Sequence, residues 1–136
     1  MYSRLFIDPQ IFLFYQENAK DSIYRSSLHN FLASIRDVGI VLIGDEKNKE
    51  ELKNSLIWFT EISPEASNLI NQLLQTCQTV VTDEKVESFS DLVKEAKPYD
   101  FIISNTCNLE SEGTLFTAEQ IGEVQSLMYE ESKERR

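Results

Sequence analysis

The sequence has few of the side chains that most often bind zinc. It contains two cysteines and one histidine among 136 residues. Cys77 and Cys107 lie far apart and belong to no Cys-x-x-Cys pair, so His29 has no partners for a usual zinc site. We therefore expect two reduced thiols, one buried on a helix and one near a loop, and a histidine on the solvated surface of a helix.

Glycine is also sparse, with four residues scattered along the chain. No glycine-rich phosphate loop, dinucleotide-binding fingerprint or Gly-x-Ser-x-Gly nucleophile elbow occurs in the sequence. Without these patterns, the chain lacks the signatures of the common nucleotide-binding folds and of the α/β-hydrolases.

Cationic side chains are outnumbered by anionic ones. Thirteen Lys and Arg residues face 23 Asp and Glu residues, which gives a formal net charge of −10. An acidic surface repels phosphate, so the chain does not hold nucleic acid by bulk electrostatics. Binding of RNA would need a local basic strip or a partner that supplies one.

Long apolar runs are missing as well. No stretch approaches the ~20 apolar residues that span a bilayer, and the amino-terminal residues show no signal-peptide pattern. We expect a cytoplasmic protein with no membrane partner.

What remains is the composition of an ordinary globular protein, with 41% hydrophobic and 26% charged residues. The length suits one α/β domain over residues 1–130. Residues 131–136 form a mixed charge run, which is either a frayed helix end or the start of a linker into a further domain.

Four apolar runs predict strands over residues 2–8, 39–45, 79–82 and 100–105. The runs are continuous rather than alternating, which is typical of a parallel sheet covered on both faces. Because helical patterns separate them, we predict a three-layer α/β/α sandwich, Rossmann-like, with a mainly parallel sheet of four or more strands.

The helices are predicted from caps and apolar spacing. Asp21 caps a helix that runs to about residue 37 and stops at Gly39. Further helices are expected over residues 50–61 and 63–76, from Ser88 or Ser90 to residue 96, and from the capping box at Thr117, with residues 106–114 as a loop. The last helix is expected to turn Ile121, Val124, Leu127 and Met128 inward. The aromatic residues after the first strand are expected to pack in the core rather than to stack on bases: Phe12, Phe14 and Tyr15.

Polar residues follow each predicted strand. Asp8, Asp45 and Asp83 come after the first three strands, and Asn105-Thr106 follows the fourth. The carboxyl ends of parallel strands meet at one edge, so these groups are expected to gather there. Converging carboxylates repel one another, and Mg²⁺ or Mn²⁺ relieves that repulsion and can activate water at a phosphate.

The segment Phe6-Ile7-Asp8-Pro9-Gln10-Ile11-Phe12 resembles the opening of the PIN-domain ribonucleases. Their first strand ends in an Asp that is followed by a small, a polar and an aliphatic residue. The resemblance spans roughly residues 4–110. In that family a second acid follows the second strand, and a third begins the helix before the last core strand. Positions that match are Asp45, Glu50 or Glu51 for the second acid and Asp91 for the third.

The family's last strand commonly ends in Thr-Asn-Asp, whereas this chain has Ser104-Asn105-Thr106, so Thr106 replaces the fourth acid. The resemblance implies a PIN-like fold and three catalytic acids, Asp8, Glu51 and Asp91. It also implies Mg²⁺ or Mn²⁺ bound by Asp8, Asp45 and Asp91, and substrate positioning by Asn105 and Thr106.

A strand that ends in Asp8 also resembles, more weakly, the haloacid-dehalogenase phosphatase core. There a second Asp two residues later acts as acid and base, within Asp-x-Asp-Gly-Thr. Here Gln10 stands at that position and no Gly-Thr follows. Without a proton donor for the leaving group, an active phosphatase of this type is not expected.

Two hypotheses follow from the sequence. The first is a PIN-like metal-dependent ribonuclease, a toxin or phage-defence effector held by a protein partner, with RNA as substrate. The second is a catalytically inactive α/β module that binds a protein partner within a larger assembly. Thr106 in place of an acid, the acidic surface, the lone Trp58 and the apolar last helix favour the second.

Overall fold

The computed structural model describes residues 3–80 and 86–134. Within these residues the chain forms five strands and six α-helices. The strands are β1 (Arg4–Ile7), β2 (Val41–Ile43), β3 (Cys77–Gln78), β4 (Phe101–Ile103) and β5 (Thr114–Phe116). The helices are α1 (Gln10–Glu17), α2 (Ser22–Val38), α3 (Glu46–Ile62), α4 (Ala66–Thr76), α5 (Phe89–Leu92) and α6 (Ile121–Glu134). Short 3₁₀ turns follow α5 and precede α6.

The strands form one sheet in the order β3-β2-β1-β4-β5, and every pair is parallel. This confirms the predicted α/β class with a parallel sheet of four or more strands. The chain builds outward from β1 to β3 and then returns to place β4 on the other side of β1. The order therefore reverses between β1 and β4, and open α/β sheets bind ligands at such a switch point.

The two faces of the sheet are covered unequally. Leu5 and Ile7 belong to a large core that also takes in residues of α1, α2, α3, α4 and α6. Phe6 points to the opposite face, into a smaller core with Ile43 and Ile102 and with residues of α5 and its 3₁₀ turn. The sheet is thus buried on both sides, as its continuous apolar strands require, but the second helical layer is thin.

Helix caps explain several boundaries. The Asp21 side chain accepts a hydrogen bond from the Ile23 N–H and starts α2, and Gly39 ends it in the left-handed conformation at φ 73°. Both were predicted. The start of α3 was not, because Asp45 caps the helix through the Asn48 N–H and begins it four residues before the expected Glu50.

Other local predictions need correction. The third strand is Cys77–Gln78, earlier than predicted, and Thr79 and Val80 are not part of it. Residues 81–82 of the predicted strand, and Asp83 after it, lie outside the described part of the chain. The expected loop over 106–114 is followed by a fifth strand, β5. Leu127 is 38% exposed instead of buried, whereas Ile121, Val124 and Met128 point inward as predicted.

The remaining side chains agree in part with expectation. Phe12 and Tyr15 are buried in the core, and Phe14 packs against it. Cys77 is buried at the junction of α4 and β3, where burial raises the pKa of its thiol, and Cys107 is exposed. His29 lies on α2 and is half-buried. In the described residues, none of the helices has both the length and the apolar character that crossing a bilayer demands.

Candidate functional site

Asp8 lies directly after β1, at the carboxyl edge of the sheet and beside the switch point. Its backbone N–H donates to the Ile103 carbonyl at 2.9 Å, which continues the pairing of β1 with β4. The residue is 5% exposed. A carboxylate buried to this degree needs hydrogen-bond donors from the protein.

Both carboxylate oxygens of Asp8 accept hydrogen bonds. Oδ1 accepts from the Gln10 N–H at 3.0 Å, because the chain turns there into α1. Oδ2 accepts from the Ser104 hydroxyl at 2.7 Å and, at the longer distance of 3.4 Å, from the Thr106 hydroxyl. Ser104 Oγ in turn accepts from the Thr106 N–H at 3.0 Å. Asp8, Ser104 and Thr106 form one polar cluster at the ends of β1 and β4.

Ser104 is a partner of Asp8 that the sequence argument missed. It is 1% exposed, so its hydroxyl is committed to this cluster. The available signal was register: Ile7 pairs with Ile103, so the next residues of the two parallel strands lie side by side. Predicting that register required knowing that β4, rather than another strand, is the second neighbour of β1.

Asp45 and Asp91 each bond within their own segment. Asp45 caps α3, with Oδ1 accepting from the Asn48 N–H at 2.6 Å. Asp91 Oδ2 accepts from the Glu87 N–H at 3.1 Å, and the Ser88 side chain caps α5 through the Asp91 N–H. Lys94 places its Nζ 3.8 Å from the other Asp91 oxygen. Each acid therefore stabilises the start of a helix.

Glu51 is exposed on α3 and lies between two openings in the surface. One is an open cavity of about 340 Å³, shared with Pro9, Gln10 and Leu13. The other is a narrow crevice shared with Asp45 and with residues 87–89. Glu51 is thus the predicted acid placed between the turn after β1 and the start of α5.

Asn105 and Thr106 have separate roles in the structure. Asn105 Oδ1 accepts the Ala118 N–H at 2.8 Å and ties the loop after β4 to the turn before α6. Thr106 is exposed and donates toward Asp8.

The predicted metal ligands do not come together as a group. Across residues 3–80 and 86–134, the His, Cys, Asp and Glu side chains form no cluster of three that could hold a metal ion. The structure thus brings Ser104 and Thr106 to Asp8, and leaves Asp45 and Asp91 hydrogen-bonded to their own helices.

Comparison with known proteins gave no match to a family model, to a curated protein or to a solved structure. The PIN-like resemblance therefore stays a prediction that depends on the residues quoted for it.

Proposed function

We propose that the chain is a catalytically inactive, PIN-like α/β module that binds a protein partner. The observation that carries the proposal is the hydrogen bonding of Asp8. Its two oxygens accept a backbone N–H and a buried hydroxyl at 3.0 and 2.7 Å. These donors offset the carboxylate charge that a divalent cation would otherwise offset.

Thr106 supports the same conclusion. It stands at the position where the PIN-domain ribonucleases have a fourth acid, and its hydroxyl lies 3.4 Å from Asp8 Oδ2. A hydroxyl at this place adds a donor to the cluster, whereas a carboxylate would add a second negative charge for a cation to bind.

The surface offers apolar contacts for a partner. Several large apolar side chains are exposed, and Trp58 is partly buried against the core. Apolar and aromatic residues supply most of the binding energy at protein interfaces. The exposed ones are Leu13, Ile23, Ile57, Ile62, Leu115, Leu127 and Tyr129.

The second candidate is the metal-dependent ribonuclease, and the position of Glu51 favours it. Glu51 lines the cavity beside Pro9-Gln10 and also the crevice beside Asp45. In that function Asp8, Asp45 and Asp91 would hold Mg²⁺ or Mn²⁺, and Glu51 would complete the catalytic acids. The metal would supply activation of water and neutralisation of phosphate charge. Asn105 and Thr106 would position the RNA.

Thermal unfolding with and without millimolar Mn²⁺ separates the two functions. We expect the same melting temperature in both conditions for the native chain, for Asp8→Asn and for the control Asp37→Asn. Asp37 is an exposed acid at the end of α2, paired with Arg36, so this control matches the change of charge outside the Asp8 cluster.

A stabilisation by Mn²⁺ in the native chain and in Asp37→Asn that disappears in Asp8→Asn would contradict the proposal. A ligand at a hundredfold its dissociation constant stabilises by about 2.7 kcal/mol, a shift that is easily measured. Mn²⁺-dependent cleavage of a mixed RNA substrate, lost in Asp8→Asn alone, would establish the nuclease instead.

A further inference from the structure

β5 is the last strand on one side of the sheet, and its other side is unpaired among the described residues. The Thr114 N–H donates to the Asp100 carbonyl and the Phe116 carbonyl accepts from the Ser104 N–H, both at 2.9 Å. In a parallel ladder the bonding direction alternates along the strand. The N–H and C=O of Leu115 therefore point away from β4.

β5 is a short strand of three residues, and two other features that usually prevent strand addition are absent from it. Thr114, Leu115 and Phe116 include no charge and no proline. Leu115 is 44% exposed. An extended segment of another chain can therefore pair with the backbone of Leu115.

Leu115 also offers an apolar contact on one face of the sheet. It pairs in register with Ile102, which belongs to the smaller core. Residues in register lie on the same face, so a strand added beside β5 would place a side chain next to Leu115 on the face that carries the smaller core. An apolar side chain fits this position.

The sequence on both sides of β5 is acidic. From residue 98 to residue 132 the sequence contains no Lys or Arg. Glu110 and Glu112 are exposed immediately before β5, and Glu119 and Glu123 are exposed after it. A second copy of this chain would bring the same acids to the contact, and like charges repel. A basic segment complements them.

Building on the proposed partner-binding function, we infer that β5 binds an extended basic segment of another protein by strand addition. The backbone of Leu115 supplies the hydrogen bonds, and the partner covers Leu115 with an apolar side chain. Lys or Arg residues of the partner meet the acids before β5. The partner is a protein with a basic, β-forming segment.

A short peptide of alternating threonine and valine with lysine at both ends is the test ligand. Its binding is followed by NMR titration of the ¹⁵N-labelled full chain and by hydrogen exchange of backbone amides. We expect the largest shifts at residues 114–116 and slower exchange of the Leu115 amide. The same peptide with glutamate at both ends should bind several-fold more weakly.

Two variants at one position separate backbone pairing from side-chain contact. Leu115→Pro removes the outward N–H and leaves the bonds of Thr114 and Phe116 to β4 intact. It should weaken binding about fivefold or more, the effect of losing one hydrogen bond. Leu115→Ala keeps the N–H, and slower exchange of that amide should persist on peptide addition.

The charge contribution is tested with a matched pair of double variants. Glu110→Gln with Glu112→Gln should weaken binding several-fold and reduce its dependence on salt. Glu61→Gln with Glu65→Gln removes the same charge at the α3–α4 connection, on the other side of the sheet, and should leave binding unchanged.

Equal affinity for the two peptides, or unchanged affinity in Leu115→Pro, would overturn the inference. So would unaltered exchange of the Leu115 amide in the native chain, a result that needs no variant to fold. Self-association in sedimentation that Leu115→Pro abolishes would identify a second copy as the occupant instead. An Asp8-dependent response to Mn²⁺ together with peptide binding would refute only the inactivity of the module. If there were neither a Mn²⁺ response nor peptide binding, only the inference about β5 would be refuted, and the inactivity of the module would stand.

Discussion

At the scale of single residues, the structure depends on buried polar groups that have found specific partners. Asp8 is 5% exposed and Asp100 is fully buried, and each carboxylate accepts several hydrogen bonds. A buried acid without donors would destabilise the fold. Several of these donors come from distant parts of the sequence: Ser104 donates to Asp8, and Arg4 donates to Asp100.

Tyr15 also bonds to a distant part of the sequence, and its burial gives a pH-dependent prediction. Its hydroxyl donates to the Ala118 carbonyl at 2.6 Å, and burial raises the pKa of Tyr15 above its ordinary value of 10.0. The unfolded chain then loses this proton at lower pH than the folded chain does. The stabilisation is complete below pH 10 and is lost as pH rises through the folded pKa.

Tyr15→Phe should therefore be about 1 kcal/mol less stable than the native chain at pH 7, because the hydrogen bond is lost. Above pH 10 the difference should fall by about 1.4 kcal/mol per pH unit and therefore change sign before pH 11. Denaturant unfolding at pH 7 to 11 measures both. The other tyrosines are common to both proteins and cancel in the difference, and a constant difference across that range would contradict the assignment.

At the scale of elements, two glycines make opposite predictions. A Cβ at Gly44, where β2 leads into α3, would overlap Asn48 Oδ1 and lie 3.3 Å from Cys77 Sγ. Asn48 is buried and would have to move. We expect Gly44→Ala to destabilise the protein by about 1–3 kcal/mol.

Gly122 is the matched control for that change. It lies in α6, and a Cβ there would meet no atom within 4 Å. Gly122→Ala should stabilise the protein by about 0.5–1 kcal/mol, since alanine loses less conformational freedom in a helix. Chemical denaturation of both variants should give changes of opposite sign, and a destabilised Gly122→Ala would show that α6 is not a regular helix at this point.

Elements with strong local signals could be predicted, and those that depend on pairing could not. Asp21 and Gly39 delimit α2 without help from the rest of the fold. β5 has only three residues between Gly113 and the capping box at Thr117, so it shows no periodicity of its own. Its existence depends on β4, which supplies its hydrogen bonds.

The candidate site divides in the same way. The apolar run before Asp8 was enough to place it at the carboxyl edge of the sheet. Its partner Ser104 is 96 residues away in sequence, so no local pattern connects the two. Asp45 differs from Asp8, because its spacing to Asn48 is a local cap signal. The apolar run before Asp45 predicts a ligand at a strand end, whereas in the structure Asp45 caps α3.

At the scale of the whole molecule, a long-range contact ties the two central strands together at the end of the sheet opposite Asp8. Arg4 begins β1, and its backbone N–H and guanidinium both donate to Asp100 just before β4, with a closest ion-pair distance of 2.8 Å. Asp100 also accepts the Lys97 N–H at 2.8 Å. The two central strands are therefore fixed to each other at their amino ends by a carboxylate and at their carboxyl ends by the Asp8 cluster.

Asp100→Asn should destabilise the protein by about 3 kcal/mol, because the amide cannot accept at every position that the carboxylate serves and the guanidinium loses its counter-charge. The control is Asp37→Asn. The pair of Asp37 with Arg36 is exposed, so this substitution should change stability by less than about 0.5 kcal/mol. Both are measured by denaturant unfolding at neutral pH. The loss of stability should extend to the other end of the sheet, because Asp8 and Ser104 directly follow β1 and β4. Hydrogen exchange of the Asp8 amide should therefore be faster in Asp100→Asn. A destabilised variant with unchanged exchange at Asp8 would mean that the two ends of the central pair are held independently.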